Sequence, residues 1–302
     1  MLKIKRLDIA LTTKCNFTCQ YCRGNPGQRA SMPVEDVAVI LHNFKHFGVA
    51  HIRLDGGEPF LYGEEALFKI IELAHSLDMK VGIFTNASTI NGRLASRIKQ
   101  TAGLELIVTL HCLNQPNQIR STLAGLRALA AQEVYPELVM IVSRRHIPAM
   151  RTVLAQLPFH TYRVTFRPLI AVGKAYANWD DGFESINAQD WAHFLATYSE
   201  LQQAFSHLEF VNAVPNPQEE MQDYGYHKSQ EGFILHIDTD GNLLASFSAI
   251  ADTRLGSALD PASVMEKCQA PETASFLLNA DKAMLERISA TEKPASNSLV
   301  IP

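Results

Sequence analysis

The stretch LDIALTTKCNFTCQYC, residues 7–22, decides how this chain is read: a short apolar run, 7–11, feeds directly into a loop that carries Cys15, Cys19 and Cys22. Three thiols within eight residues, in a chain with five cysteines in all, point to a metal. Spacings of three and then two intervening residues let one loop wrap a cubic iron-sulfur cluster, with each sulfur facing a different iron and the fourth iron left for a small molecule. Zinc and a dithiol pair are the alternatives for cysteines this close. Zinc recruits a fourth Cys or His, and the following RGNPGQRASMP, residues 23–33, offers neither, while Cys112 and Cys268 are far along the chain. A structural disulfide fits least, because an odd clustered set without a secretory segment points to a reducing compartment.

The whole chain bounds the reading further. Its 302 residues allow one large domain, with or without a smaller appendage, burying about three quarters of the unfolded surface. With 47% hydrophobic and 19% charged residues and a net charge of -4, it has no basic footprint for nucleic acid. The amino terminus MLKIKRLDIALTTK lacks an apolar run of signal-peptide length, and no later segment reaches the roughly 18 apolar residues of a membrane span. The expectation is a cytoplasmic protein without nucleic-acid or membrane partners.

Up to about residue 175, short β-branched runs alternate with longer amphipathic stretches, as in parallel strands joined by crossover helices. Six strands are expected, at 7–11, 51–54, 80–85, 104–110, 137–142 and 163–167. The clearest helix covers 33–47, with Val34, Val37, Ile40, Leu41 and Phe44 at helical spacing after Ser31 and Pro33. Between 176 and 232 the alternation stops, and a helix over 189–204 is followed by a polar, Pro-containing connector. Residues 233–237 and 243–247 read as a β-hairpin around Asp240-Gly241, which supplies the turn chemistry. A helix through 276–288 completes a small carboxy-terminal α+β lobe, and the tail 291–302 is expected to be poorly ordered. The expected units are therefore 1–175, 176–232 and 233–302.

The second strand runs into Asp55-Gly56-Gly57-Glu58-Pro59, where two glycines let the backbone turn tightly and come close to a ligand. Parallel α/β sheets form their sites at the carboxyl ends of the strands. The cysteine loop follows the first strand in the same way, so the two motifs should face one another.

CNFTCQYC followed by GGEP resembles the radical S-adenosylmethionine (radical SAM) superfamily. The resemblance continues through Thr85-Asn86-Ala87, where relatives often have Thr-Asn-Gly, and through Phe166-Arg167-Pro168-Leu169 with Gly173-Lys174-Ala175, covering roughly residues 5 to 175. It implies an α/β fold, a partial, open (β/α)6 barrel, with one 4Fe-4S cluster on Cys15, Cys19 and Cys22 and S-adenosylmethionine bound at the open iron through its amino and carboxylate groups. It also implies reductive cleavage of that cofactor to a 5'-deoxyadenosyl radical, which takes a hydrogen from a substrate. A reductant such as flavodoxin or ferredoxin is the implied protein partner.

By the same resemblance, Gly56, Gly57, Glu58 and Pro59 receive the methionine amino group, through backbone carbonyls and the Glu58 carboxylate, and Tyr21 lies near the adenine. Thr109 stands where many relatives have the Ser of a Ser-Leu-Asp segment, and serves the ribose or the methionine moiety. Arg120 matches a helix arginine that in some relatives pairs with the methionine carboxylate, which its fork suits, with a solvated surface arginine as an equal alternative. Asn86, Ser143 and Arg167 are further strand-end candidates, each with plain packing as an equal alternative. His111 occupies the aspartate position of the Ser-Leu-Asp segment. Adjacent strand residues point to opposite faces, so His111 and Cys112 read as a packed pair, and they, His51 and His146 are assigned no role.

The stretch FILHIDTDGNLLASFSAIADTRLGSALD, residues 233–260, resembles the SPASM/twitch half-domain that peptide-modifying relatives use for auxiliary clusters. Ala245-Ser246-Phe247-Ser248 stands where those relatives have a cysteine, and only Cys268 remains downstream, so a single cluster is expected. The lobe is expected either to close the open side of the barrel, with 224–230 as a lid, or simply to complete the core. The leading expectation is a radical SAM enzyme acting on a small metabolite, nucleotide-type substrates included. A weaker resemblance, in GGEPFL and the single-cluster layout, is to the viperin-like nucleotide dehydratases, from which Arg23 after Cys22 departs. Modification of a ribosomally made peptide is the second enzymatic reading. A non-catalytic iron-sulfur electron carrier or a SAM-binding sensor is the third.

Overall fold

The computed structural model describes residues 3–22, 30–113, 115–169, 174, 188–213, 232–244, 254–270, 272–275 and 277. β1 (Ile4–Thr12), β2 (His51–Gly56), β3 (Lys80–Thr85), β4 (Leu104–Leu110), β5 (Glu137–Val142), β6 (Arg163–Pro168) and β7 (Glu209–Asn212) pair in chain order, every neighbour parallel. Between them run α1 (Val34–Lys45), α2 (Glu64–Ser76), α3 (Gly92–Gln100), α4 (Pro116–Ala130), α5 (Met150–Leu154) and α6 (Ala188–Ala204). β8 (Phe233–Ile237) then lies parallel to β1 on its other side, and β9 (Asn242–Leu244) and β10 (Arg254–Ser257) extend the sheet antiparallel. α7 (Pro261–Gln269) follows. The result is an open, mostly parallel sheet: the expected α/β partial barrel.

The two-residue period of the strands sorts their side chains. Leu7, Ile9 and Leu11, Ile52 and Leu54, and Val81 and Ile83 share one buried core with Ile40, Leu41 and Phe44 of α1 and Ile70 and Ile71 of α2. The alternate residues, among them Arg6, Asp8, Arg53, Asp55, Phe84 and Arg167, belong to the opposite, inner face. That face is polar: Arg6 donates to Asp8 (Nη2 to Oδ2, 3.0 Å), and His236 of β8 approaches the same carboxylate at 3.8 Å. Burial opposes the ionisation of Asp8, yet His236, Arg6 and Arg53 together hold its carboxyl below the usual range.

Three elements depart from the sequence reading. The segment 176–232, read as a helix and connector, contains β7, which adds a seventh parallel strand beside β6. It is four residues long and partly exposed, too short and too polar for a period of two to show. The hairpin read as the start of a separate lobe instead continues the main sheet, with Leu7 opposite Leu235 and Ile9 opposite Ile237. Nothing local to a hairpin says which edge it will join. α7 was not expected; Asp260 caps it, its carboxylate accepting from Ala262 N at 3.0 Å, with Pro261 at the first helical position. The expected lid 224–230, the stretch 245–248, the helix 276–288 apart from Leu277, and the tail lie outside the described residues. Among the described residues, no helix is long and apolar enough to cross a membrane.

Candidate functional site

The Gly-Gly-Glu-Pro turn lies backbone to backbone on the start of the cysteine loop. Gly57 N donates to Thr12 O at 2.6 Å, and Glu58 N donates to Lys14 O at 2.8 Å. This contact is what the two glycines are for. A Cβ on Gly57 would sit 2.0 Å from Lys14 O, and one on Gly56, whose φ is +114°, would sit 2.4 Å from Thr12 O. The loop that carries the cysteines is therefore anchored at its base to the end of the neighbouring strand, as the order of the motifs along the chain implied.

Glu58 ties a third strand into the same knot. Its side chain is fully buried; Oε1 accepts from Thr85 Oγ1 (2.7 Å) and Phe60 N (3.2 Å), and Oε2 accepts from Asn86 N (2.8 Å). Burial raises its pKa despite these three donors. The carboxylate thus clamps β2 to the end of β3, and the expectation that it meets the methionine amino group does not fit a group turned so fully inward. Asn86 continues the knot outward: its Nδ2 donates to Asn16 Oδ1 within the cysteine loop (3.0 Å), while Asn16 Nδ2 donates to Ser88 Oγ (2.8 Å). Glu58→Gln would put an amide donor where only acceptors fit, and is expected to destabilise the protein by about 1–3 kcal/mol in urea unfolding. Unchanged stability would dismiss the clamp.

Behind the loop is a small core of its own, made of Phe17, Cys19, Tyr21 and Leu169 with Cys22, Leu113 and Ile141 against it. Cys15 is exposed, Cys22 half-buried and Cys19 buried. Tyr21 is turned into this core. Its hydroxyl is 2.8 Å from His111 Nδ1 and its ring stands edge-on to His146 at 4.5 Å. His111 Nδ1 is also 3.5 Å from Cys19 Sγ, and Ser143 Oγ is 2.6 Å from His146 Nδ1. Burial lowers the pKa of His111 to about 4; it lowers that of His146 to about 3, helped by the His111 and Arg145 charges. Both imidazoles are neutral at physiological pH. The Tyr21 phenol is pushed well above its ordinary value by burial and the nearby cysteines.

His111 was assigned no role, and the structure sets it against a candidate cluster ligand. The argument from strand alternation did not apply, because β4 ends at Leu110 and His111 begins the turn beyond it. The available signal was its position in the Ser-Leu-Asp segment. Cys112 is packed away, with Sγ 4.0 Å from His146 O and its thiol pushed up to about 12 by burial. Of the other named residues, Ser143 is fully buried on His146, Thr109 is half-buried near the end of β4, and Arg120 is exposed on α4. Arg167 is half-buried and reaches Phe84 on β3, its Cζ 5.6 Å from the ring centroid.

Among the described residues, no three His, Cys, Asp or Glu side chains are placed to hold one metal ion. A cubane asks for something different: three thiols on one loop, each for its own iron. Cys15, Cys19 and Cys22 meet that demand as a donor set. Their loop is held at both ends, by the Gly57 and Glu58 contacts at Thr12 and Lys14 and by Lys174 N donating to Cys22 O at 2.9 Å.

Comparison with known proteins agrees with this geometry. The Radical SAM superfamily matches residues 9–120. The chain is 32% identical over 119 residues to a probable GTP 3',8-cyclase of Saccharolobus islandicus, a match covering 37% of this chain and 36% of that one. It is 33% identical over 103 residues to the GTP 3',8-cyclase of Vibrio cholerae, covering 32% and 29%. The match thus spans about a third of the length of these relatives. Native anSMEcpe with bound AdoMet shares the fold at a TM-score of 0.70 and 15% identity, covering 97% of this chain and 92% of that one. Streptococcus suis SuiB bound to S-adenosylmethionine does so at 0.66 and 16%, covering 92% and 68%. Residues 9–120 therefore match a radical SAM domain, of a superfamily whose members use a four-iron, four-sulfur cluster and S-adenosylmethionine.

Proposed function

We propose that this protein is a radical SAM enzyme in which Cys15, Cys19 and Cys22 hold a single 4Fe-4S cluster and a small metabolite of nucleotide type gives up a hydrogen atom. The observation that carries the reading is the backbone lock between the cysteine loop and Gly57-Glu58, which joins a three-thiol loop to a strand-end turn. When bound, the cluster and S-adenosylmethionine supply one-electron cleavage of a carbon-sulfur bond, giving methionine and a 5'-deoxyadenosyl radical. The chain's own residues hold and shield that chemistry. The carbonyls of Gly56 to Pro59 would receive the methionine amino group, and Arg120 would pair with its carboxylate. Tyr21, Phe17 and Leu169 back the cysteine loop with apolar surface on the side of Cys19 and Cys22.

The substrate class follows the GTP 3',8-cyclases, which share about a third of residues with the domain. Peptide modification is the second reading; SuiB and anSMEcpe have both been solved with peptides, and the likeness to them is one of fold. A flavodoxin or ferredoxin is the proposed reductant. The test is anaerobic reconstitution with iron and sulfide, addition of dithionite and S-adenosylmethionine, and chromatography for 5'-deoxyadenosine. A fully loaded chain that released none would be an electron carrier or a sensor instead.

His111 offers a separate test at the same site. Beside a thiolate ligand, Nδ1 has to carry its hydrogen for the 3.5 Å contact with Cys19 Sγ to be attractive, and it then shares that hydrogen with the Tyr21 hydroxyl oxygen at 2.8 Å. A donor at a ligating sulfur favours the reduced, more negative cluster. His111→Phe keeps the ring between Phe17 and Tyr21 and removes the donor, so the midpoint potential in an EPR-monitored titration is expected to become more negative. A potential unchanged or raised would sink this role.

A further inference from the structure

We propose that Arg53 and Arg167 form a clamp for the anionic end of the substrate, a phosphate or carboxylate, on the inner face of the barrel. The proposal rests on the radical SAM reading and deepens it. Arg53 comes from β2 and Arg167 from β6, with β3, β4 and β5 between them in the sheet. At about 4.8 Å per strand interval, a flat sheet would hold these strands roughly 19 Å apart. Yet both guanidinium groups reach the ring of Phe84 on β3, with Cζ at 4.5 and 5.6 Å from its centroid. The sheet is curved enough to bring two cations onto one aromatic surface.

Arg53 is only 8% exposed, and its Nε is buried without a hydrogen-bond partner among the described residues. Burial and the cations Arg6 and Arg167 pull its pKa down to about 10, against Asp8 and Asp55, which hold it up. It is therefore still charged at neutral pH. Asp8 does not answer this charge in full, since it already accepts two hydrogen bonds from Arg6 and faces His236. Three guanidinium groups and two carboxylates meet on this face, and a guanidinium whose Nε is buried without an acceptor is suited to a planar or tetrahedral oxyanion.

The location suits a substrate. Arg53 is three residues before Gly56, and Arg167 is two residues before Leu169, which packs with Cys19 and Tyr21. A molecule held by its anionic end at Phe84 would extend toward the cysteine loop. The S-adenosylmethionine carboxylate is the other source of the same chemistry, and the experiment separates the two.

Titration calorimetry of the anaerobically reconstituted full chain with inorganic pyrophosphate and, separately, malonate reads the clamp directly. Binding of at least one anion is expected in the wild type and is expected to persist with saturating S-adenosylmethionine. Arg53→Gln and Arg167→Gln should each weaken it about tenfold or more, with Arg53→Lys, which keeps the charge and loses the fork, in between. The preferred anion tells phosphate from carboxylate. Displacement by S-adenosylmethionine would assign the pair to the methionine carboxylate and overturn the proposal, as would no binding of either anion, or wild-type affinity in the folded variants. If Arg53→Gln does not fold, Arg167→Gln decides. Binding needs no turnover, so a chain that takes pyrophosphate yet never releases 5'-deoxyadenosine would sink the radical reading and leave the clamp standing.

Discussion

Alanine at Cys15, Cys19 or Cys22 is expected to abolish both the visible absorption of the cluster and the release of 5'-deoxyadenosine, whereas alanine at Cys112 or Cys268 leaves roughly four irons bound. The asymmetry has a physical basis. A cubane held by three sulfurs has no spare protein ligand, so losing one exposes a second iron to solvent. Cys112 cannot stand in, because its thiol is buried on His146 O and its pKa of about 12 keeps it protonated. Iron and sulfide counts on each purified variant, with the absorption spectrum, make the comparison. Loss of iron in the Cys112 or Cys268 variants would break the single-cluster reading.

Gly57→Ala is expected to do comparable damage without touching a ligand. Its Cβ would lie 2.0 Å from Lys14 O and 2.5 Å from Lys14 C, contacts with backbone that cannot rotate away. Relief requires the turn to lift off the loop, which breaks the bonds from Gly57 N to Thr12 O and from Glu58 N to Lys14 O. Overpacking of this kind costs about 1–3 kcal/mol or more in the apoprotein, and S-adenosylmethionine binding should be lost with the displaced carbonyls. Gly92→Ala is the control: nothing lies within 4 Å of its Cβ position, it opens α3, and the change should be neutral or stabilise by up to about 1 kcal/mol. A Gly57→Ala chain with wild-type stability and cofactor affinity would show that the two motifs need no lock.

Much of the fold was legible because its signals are local. β3, β4 and β5 begin and end where the β-branched runs do, and α1 follows its apolar spacing to within two residues at each end. Ala87 is also explained: it adopts φ +57°, a left-handed conformation that glycine takes without strain, which accounts for the Thr-Asn-Gly of relatives. The partners of the Glu58 carboxylate were not legible in the same way. Its three donors come from Phe60, Thr85 and Asn86, and two of these lie on another strand end, so nothing in GGEP itself reveals them.

The sequence by itself determined the parallel α/β architecture, the three-thiol loop and the glycine turn, because cysteine spacing, turn chemistry and strand periodicity are properties of neighbouring residues. Only the tertiary structure decided that β8 joins β1, that His111 meets Cys19, and that Arg53 and Arg167 share Phe84. Those contacts depend on sheet order and curvature, which bring together residues far apart in the chain, and no window of sequence contains both partners.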